Sequence, residues 1–188
     1  IYVHENVAAE FVNLYVAKMA NLKMGDGRDS SIDVGPLVNL ETRDKVDYFV
    51  RDAVSKGAVI KLGGQKPVGK GFFYPPTVLT NVPSDAECLS DEIFGPVAAI
   101  QTFSDEMEII RRSNATEYGL VAYVYTSDMK RGLRISESLE FGMIGLNRGL
   151  VSDPASPFGG VKQSGLGREG GKEGMLEFQE TQYISTEW

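Results

Sequence analysis

Two places in the sequence have residue types and spacing that suggest chemistry: the single cysteine, Cys88, and the run G-L-G-R-E-G from Gly165 to Gly170. A nucleophilic thiol needs a depressed pKa, supplied by a helix N-terminus or a cationic neighbour. Cys88 stands instead among Asp85, Glu87, Asp91 and Glu92, and carboxylates raise a thiol's pKa, so a structural cysteine is expected. The glycine run spells G-x-G-x-x-G. A dinucleotide loop of that spelling must follow a buried strand, open a helix and be completed by a second strand with an acidic residue about 20 positions on. Gly165 follows G-G-V-K-Q-S, and only 18 residues come after Gly170, so the run fails the first and the last of these requirements. A Walker A loop ending at Gly171-Lys172 fails as well, because Leu166 and Glu173 stand where Gly and Ser or Thr are needed. One His and one Cys in unrelated positions do not suggest a metal site. His4, the only imidazole, is expected to be a surface residue rather than a triad member.

The elements that must position these residues are legible from periodicity and punctuation. Val7, Phe11, Leu14 and Met19 fall at helical spacing in a first amphipathic helix over residues 5–22. The glycine- and aspartate-rich stretch after it reads as a loop. A second helix is expected from Glu41 to Lys56, with Val46, Val50 and Val54 on one face and Gly57 as its C-cap. The pattern then predicts strands over 58–62, after the prolines of Y-P-P-T-V-L-T-N-V, and over 97–103. A helix beginning at Ser104 or Asp105, a strand over 120–126, a helix from a Ser127 cap to Gly142 and a strand over 142–147 follow. Strands and helices alternate, which predicts an α/β fold with a mostly parallel sheet flanked by helices. The final stretch, residues 177–188, is polar and reads either as a loose tail or as an edge strand that pairs with another subunit.

Composition bounds the class. At 188 residues, 42% hydrophobic and 24% charged, the chain is long enough for one sizeable core. A net charge of -7 argues against nucleic acid or an anionic membrane surface as partner. No apolar run is long enough to span a bilayer, and a lone cysteine fits a reducing compartment, so a cytoplasmic location is expected. Ile1-Tyr2-Val3-His4 carries no initiator Met and reads as a strand already under way. The expectation is a piece of a longer polypeptide.

Four ordered motifs then add up: D-E-I-F-G-P-V (91–97), N-A-T-E-Y-G-L (114–120), G-M-I-G-L-N (142–147) and P-F-G-G-V-K-Q-S-G-L-G-R-E-G (157–170). Together with V-G-P-L-V-N, S-K-G-A-V-I-K-L-G-G and G-F-F-Y-P-P-T-V-L, they resemble the C-terminal half of the NAD(P)-dependent aldehyde dehydrogenases along the whole chain. The resemblance implies a catalytic domain over 1–176 and an oligomerisation strand over 177–188, in a homodimer or homotetramer, with the cofactor-binding domain outside this chain. It also implies covalent chemistry: a thiolate attacks the aldehyde, a hydride passes to the nicotinamide, and water, helped by a glutamate, hydrolyses the thioester. The nucleophile and general base of the family lie upstream of Ile1, so the 188 residues alone are expected to be inactive.

Site-building residues remain. Glu92 and Phe94 match the family's E-x-F, which implies a carboxylate on the nicotinamide-side ribose of NAD or NADP and an aromatic flanking the nicotinamide. Two-residue spacing in an extended segment would put both on one side. Phe158 matches an aromatic of the substrate tunnel, Asn147 lies at the turn into that loop, and Glu169 resembles a buried acid behind the catalytic centre, supporting or purely structural. Gly159, Gly160, Gly165 and Gly167 are expected to serve backbone conformation or close packing. The loop R-G-L-V-S-D-P-A-S-P-F-G-G is similar to that of members oxidising succinate semialdehyde to succinate. There a serine at the position of Ser152 helps bind the distal carboxylate, which a hydroxyl can do and an aromatic ring cannot. Arg148 is a weaker candidate for the same charge. Another semialdehyde such as glutarate semialdehyde, a simple aldehyde, or a non-catalytic scaffolding relative remain open.

Overall fold

His4 closes strand β1 (Tyr2–His4) and at once caps helix α1 (Glu5–Ala20): its Nδ1 accepts the Asn6 N–H at 3.2 Å. The computed structural model describes all residues, 1–188, and the chain divides into two compact units, Ile1–Asp105 and Glu106–Trp188.

In the first unit, α1 packs Phe11, Tyr15 and Met19 towards Val3, Val78 and Ile100. Val7 and Leu14, expected on that same face, are turned to solvent. The packed stripe runs through Ala8, Val12 and Val16, which reads better as the i, i+4, i+8 face of this helix. Helix α2 (Leu40–Ser55) starts where Asn39 Oδ1 accepts the Thr42 N–H at 2.8 Å. Its end is marked by Gly57 at φ +115°, just past Lys56, as the sequence implies. Val46, Phe49, Val50 and Ala53 are buried at i, i+3, i+4 and i+7, whereas Val54 is turned outwards. Eight residues beyond Val46 a helix has rotated about 80° off the starting face, so Val54 falls off the stripe and Ala53 stays on it.

Strand β2 (Val59–Leu62) runs antiparallel to β3 (Thr77–Thr80), which begins directly after Pro75 and Pro76. β3 pairs parallel with β4 (Val97–Ala99), and β5 (Gln101–Phe103) pairs parallel with β1. The single strand expected over 97–103 is therefore two. At Ile100 the run changes partner: its N–H goes to Leu79 O at 2.9 Å and the next residues turn to β1. The connection between β3 and β4 contains a 3-10 turn at Glu87–Leu89.

The second unit contains α3 (Glu106–Asn114), β6 (Tyr118–Gly119), β7 (Val121–Val124), α4 (Met129–Ser138), β8 (Met143–Leu146), β9 (Val161–Lys162) and α5 (Gly171–Leu176). β7 and β8 are parallel; β6 and β9 are antiparallel. Three of the five strand pairings in the chain are parallel, with helices between strands, which is the α/β class expected. Asp128, not Ser127, caps α4, through its carboxylate and the Arg131 N–H at 3.1 Å. The helix ends at Ser138, with Leu139 as its C-cap, and not at Gly142, because Gly142 already leads into β8 and donates to Gly119 O at 2.9 Å. Residues 177–188 carry no regular element and are exposed, and the main chain beyond Gln179 makes no hydrogen bond.

Candidate functional site

In the first unit, the β3–β4 connection builds a projecting turn. Val82, Ala86 and Cys88 enter the core cluster with Val46, Phe49, Val50 and Ala53 of α2, and Leu89 and Ile93 pack on it half-buried. Glu92 and Phe94 point the other way: both are exposed, Phe94 at 72%. The segment is not extended at Phe94, whose φ is +47°, so spacing alone does not place the two side chains together. A left-handed backbone at a bulky residue is a local strain, and here it holds an aromatic ring out in solvent. The turn closes at Gly95, where a Cβ would stand 2.6 Å from Val46 Cγ2. Glu92 makes no hydrogen bond or ion pair within the chain, so both its carboxylate oxygens face solvent.

Cys88 is buried, and burial first, then the negative charge of Asp52, pushes its thiol pKa up. The direction agrees with the sequence reading, but the charge that matters comes from α2 and not from the acidic chain neighbours. His4 is a helix cap whose ring meets Phe103 edge-on at 5.3 Å between centroids. No group of three or more His, Cys, Asp or Glu side chains stands close enough to hold a metal ion. No helix is long and apolar enough to cross a membrane.

In the second unit, Asn147 sits at φ +53° directly after β8. Its Oδ1 accepts the Thr126 N–H at 2.9 Å and its Nδ2 donates to Thr126 O at 2.8 Å, tying the ends of β7 and β8 together. The loop that follows exposes Ser152, whose hydroxyl has no partner, and Arg148 Nε is held by Leu150 O at 2.6 Å. Beyond Ser152 the loop is turned by Asp153, which accepts the Ala155 N–H, and by Gly171 N–H donating to Pro154 O. Phe158 and Glu169 are brought together: they exchange both main-chain hydrogen bonds, each at 2.7 Å. Phe158 is half-buried beside a cavity of about 660 Å³, while Glu169 is exposed. The bridge uses only the Glu169 main chain, and Glu169 lines the same cavity as Phe158.

The glycine run does not form a phosphate loop. Gly165 and Gly167 lie at φ +100° and +84°, and Arg168 spans the segment by donating from Nη1 to Gly160 O at 2.8 Å and Gly167 O at 2.7 Å. Arg168 was not singled out by sequence, since nothing in G-R-E reveals which carbonyls its guanidinium reaches.

The aldehyde dehydrogenase family model matches residues 1–184. The chain belongs to the aldehyde dehydrogenase family. A succinate-semialdehyde dehydrogenase of Paenarthrobacter nicotinovorans is 52% identical over 97% of this chain and 40% of its own length. A glutarate-semialdehyde dehydrogenase of Pseudomonas aeruginosa is 44% identical over 98% of this chain and 38% of its own. The crystal structure of an aldehyde dehydrogenase from Brucella melitensis biovar abortus superposes with a TM-score of 0.94 at 45% identity, covering 98% of this chain and 38% of that one. The chain thus spans about two fifths of the length of the aldehyde dehydrogenases it matches.

Proposed function

We propose that the protein carrying this chain is an NAD(P)-dependent aldehyde dehydrogenase that oxidises succinate semialdehyde to succinate. The observation that carries the substrate is Ser152, exposed on the loop after Asn147 with its hydroxyl unpaired. A free hydroxyl there can donate to the distal carboxylate of a semialdehyde. The name of the Paenarthrobacter relative supports the same substrate, and that of the Pseudomonas relative supports glutarate semialdehyde as a second reading, one methylene longer.

The projecting turn fits a nicotinamide dinucleotide, NAD or NADP. Glu92 offers two unengaged carboxylate oxygens to ribose hydroxyls, and the exposed Phe94 ring offers an apolar face to the nicotinamide. When bound, the dinucleotide supplies the two-electron acceptor for aldehyde oxidation. Phe158 lines the aldehyde's approach, and Glu169, paired to it through the main chain, sets the position of that wall. Cys88 takes no part in the covalent step, because a buried thiol with a raised pKa is a poor nucleophile. The attacking thiolate and the general base therefore come from residues outside these 188, and the chain on its own does not turn over aldehyde. Residues 177–188, with Phe178, Tyr183, Ile184 and Trp188 exposed, pair as an edge strand with a second copy in a cytoplasmic dimer or tetramer.

Ser152→Phe in the full-length protein tests the substrate. The expected result is a rise of about tenfold or more in KM for succinate semialdehyde, the loss of one charge-assisted hydrogen bond. KM for an uncharged aliphatic aldehyde stays within about twofold. Equal rises for both aldehydes would sink the assignment.

A further inference from the structure

Resting on the cofactor reading of Glu92 and Phe94, we propose that Tyr48, Asp52 and Lys56 form a latch on α2 that positions this turn for the dinucleotide. They occur at i, i+4 and i+8 and so share one stripe of the helix, beside the buried stripe of Val46, Phe49, Val50 and Ala53. Each reaches the start of the β3–β4 connection. Asp52 Oδ2 accepts the Glu87 N–H at 2.9 Å. Lys56 Nζ bridges Asp52 Oδ1 and Asp85 O, both at 2.8 Å. Tyr48 donates its hydroxyl to Glu87 Oε1 at 2.7 Å.

The geometry gives these contacts a lever. The 3-10 turn begins at Glu87, so the Asp52 contact fixes the first residue of the turn that leads to Glu92. Ser90 and Asp91 then donate their N–H groups back to Glu87 O, at 3.0 and 2.9 Å, so whatever holds Glu87 holds the next four residues. At the other end Gly95 rests on Val46 of the same helix. Asp52 and Val46 lie six residues apart on α2, about 9 Å along its axis, and Glu92 and Phe94 project from the chain between these two anchors. A left-handed Phe94 persists only if its surroundings over-determine it, and two anchors on one rigid helix do so. The charges agree with this: Lys56, then the Glu87 amide, hold the Asp52 carboxyl below its usual range, so it stays ionised.

Asp52 is a positioning residue and touches no substrate, so its test must separate placement from stability. In the full-length protein, Asp52→Ala is expected to raise KM for NAD(P) about five- to tenfold, leaving KM for the aldehyde within about twofold. Asp52→Asn, whose amide oxygen still accepts the Glu87 N–H, recovers most of the loss. In the dinucleotide-free protein, hydrogen exchange of the Glu87 to Gly95 amides speeds up in Asp52→Ala and not in Asp52→Asn. Tyr48→Phe, which removes one hydroxyl and keeps the ring, gives the same changes at smaller size and serves if Asp52→Ala does not fold. The latch is overturned if dinucleotide KM and the turn's exchange stay at wild-type values, or if both substrates' KM values rise together. Glu92→Gln separates the two ideas. If it raises the dinucleotide KM while the latch variants do not, the latch alone fails. If Glu92→Gln leaves that KM unchanged, the cofactor reading fails and the latch falls with it.

Discussion

The turn carrying Glu92 and Phe94 is gripped from one side by side chains of a long helix, whereas the segment 147–171 is held mainly by its own main chain. In the first unit the largest wholly buried side chains, Tyr74, Phe49 and Leu79 among them, form a core cluster under the turn. In the second unit no large side chain is as deeply buried, and Ile109, Ile110, Val124 and Met143 are its innermost apolar residues. There the work passes to the Phe158–Glu169 bridge, the Asn147 clamp and the Arg168 guanidinium on two carbonyls. The two regions illustrate two ways to hold a loop. One uses apolar burial, which is strong and non-directional; the other uses hydrogen bonds that fix shape and add little net stability each.

The sharpest way to break this contrast is at Phe49. Phe49→Ala removes a ring that is 2% exposed at the centre of the α2 cluster, and should cost about 3–5 kcal/mol in chemical denaturation of the full-length protein. A cost below about 1 kcal/mol would mean that the core does not brace the turn.

Gly159→Ala probes the other mode. A Cβ there would stand 2.5 Å from Gly167 O and 2.8 Å from Arg168 Cδ, inside the space the main-chain bridge needs. Overpacking against a carbonyl should cost about 1–3 kcal/mol and raise KM for the aldehyde by displacing Phe158. Unchanged stability and KM would show that the segment yields freely and that its shape is not set by backbone contact.

These two modes also explain what was legible in the sequence. Burial writes a period, and the periods placed α1 and α2 to within two residues at each end. Period alone misjudged Val7, Leu14 and Val54, because it does not say which of two neighbouring stripes meets the core. Partner changes leave no periodic mark, so the switch at Ile100 from β3 to β1 read as one strand. The glycine-rich segment wrote its order in family motifs and not in pattern: β9 and the short α5, opened by Gly170 at φ +68°, carry no amphipathic signal. Among site residues, Glu92, Phe94, Ser152, Phe158 and Glu169 came from motif resemblance. The latch on α2 was invisible because its three residues look like an ordinary solvated face until the β3–β4 connection is folded onto them.

The smallest effect is expected where the second unit uses charge at its surface. Arg134 donates from Nε and Nη2 to the two oxygens of Glu106 at 2.7 and 2.9 Å, joining α4 to the first turn of α3. The Arg134 contact holds the Glu106 carboxyl below its ordinary value of 4.5. A carboxyl whose folded pKa is depressed contributes stability that is complete above its unfolded pKa and is lost as pH falls through the lowered folded value. With more than half of the Arg134 side chain in solvent, screening keeps that contribution small. Arg134→Gln should therefore lower the thermal midpoint slightly at pH 7, and the wild-type and variant midpoints should converge as pH drops below about 4.5. Salt should narrow the gap at pH 7 in the same way. A gap that persists undiminished in acid would assign the loss to packing of the Arg134 stem along α4. The second unit would then rest on apolar contact after all, and its contrast with the first would be one of degree.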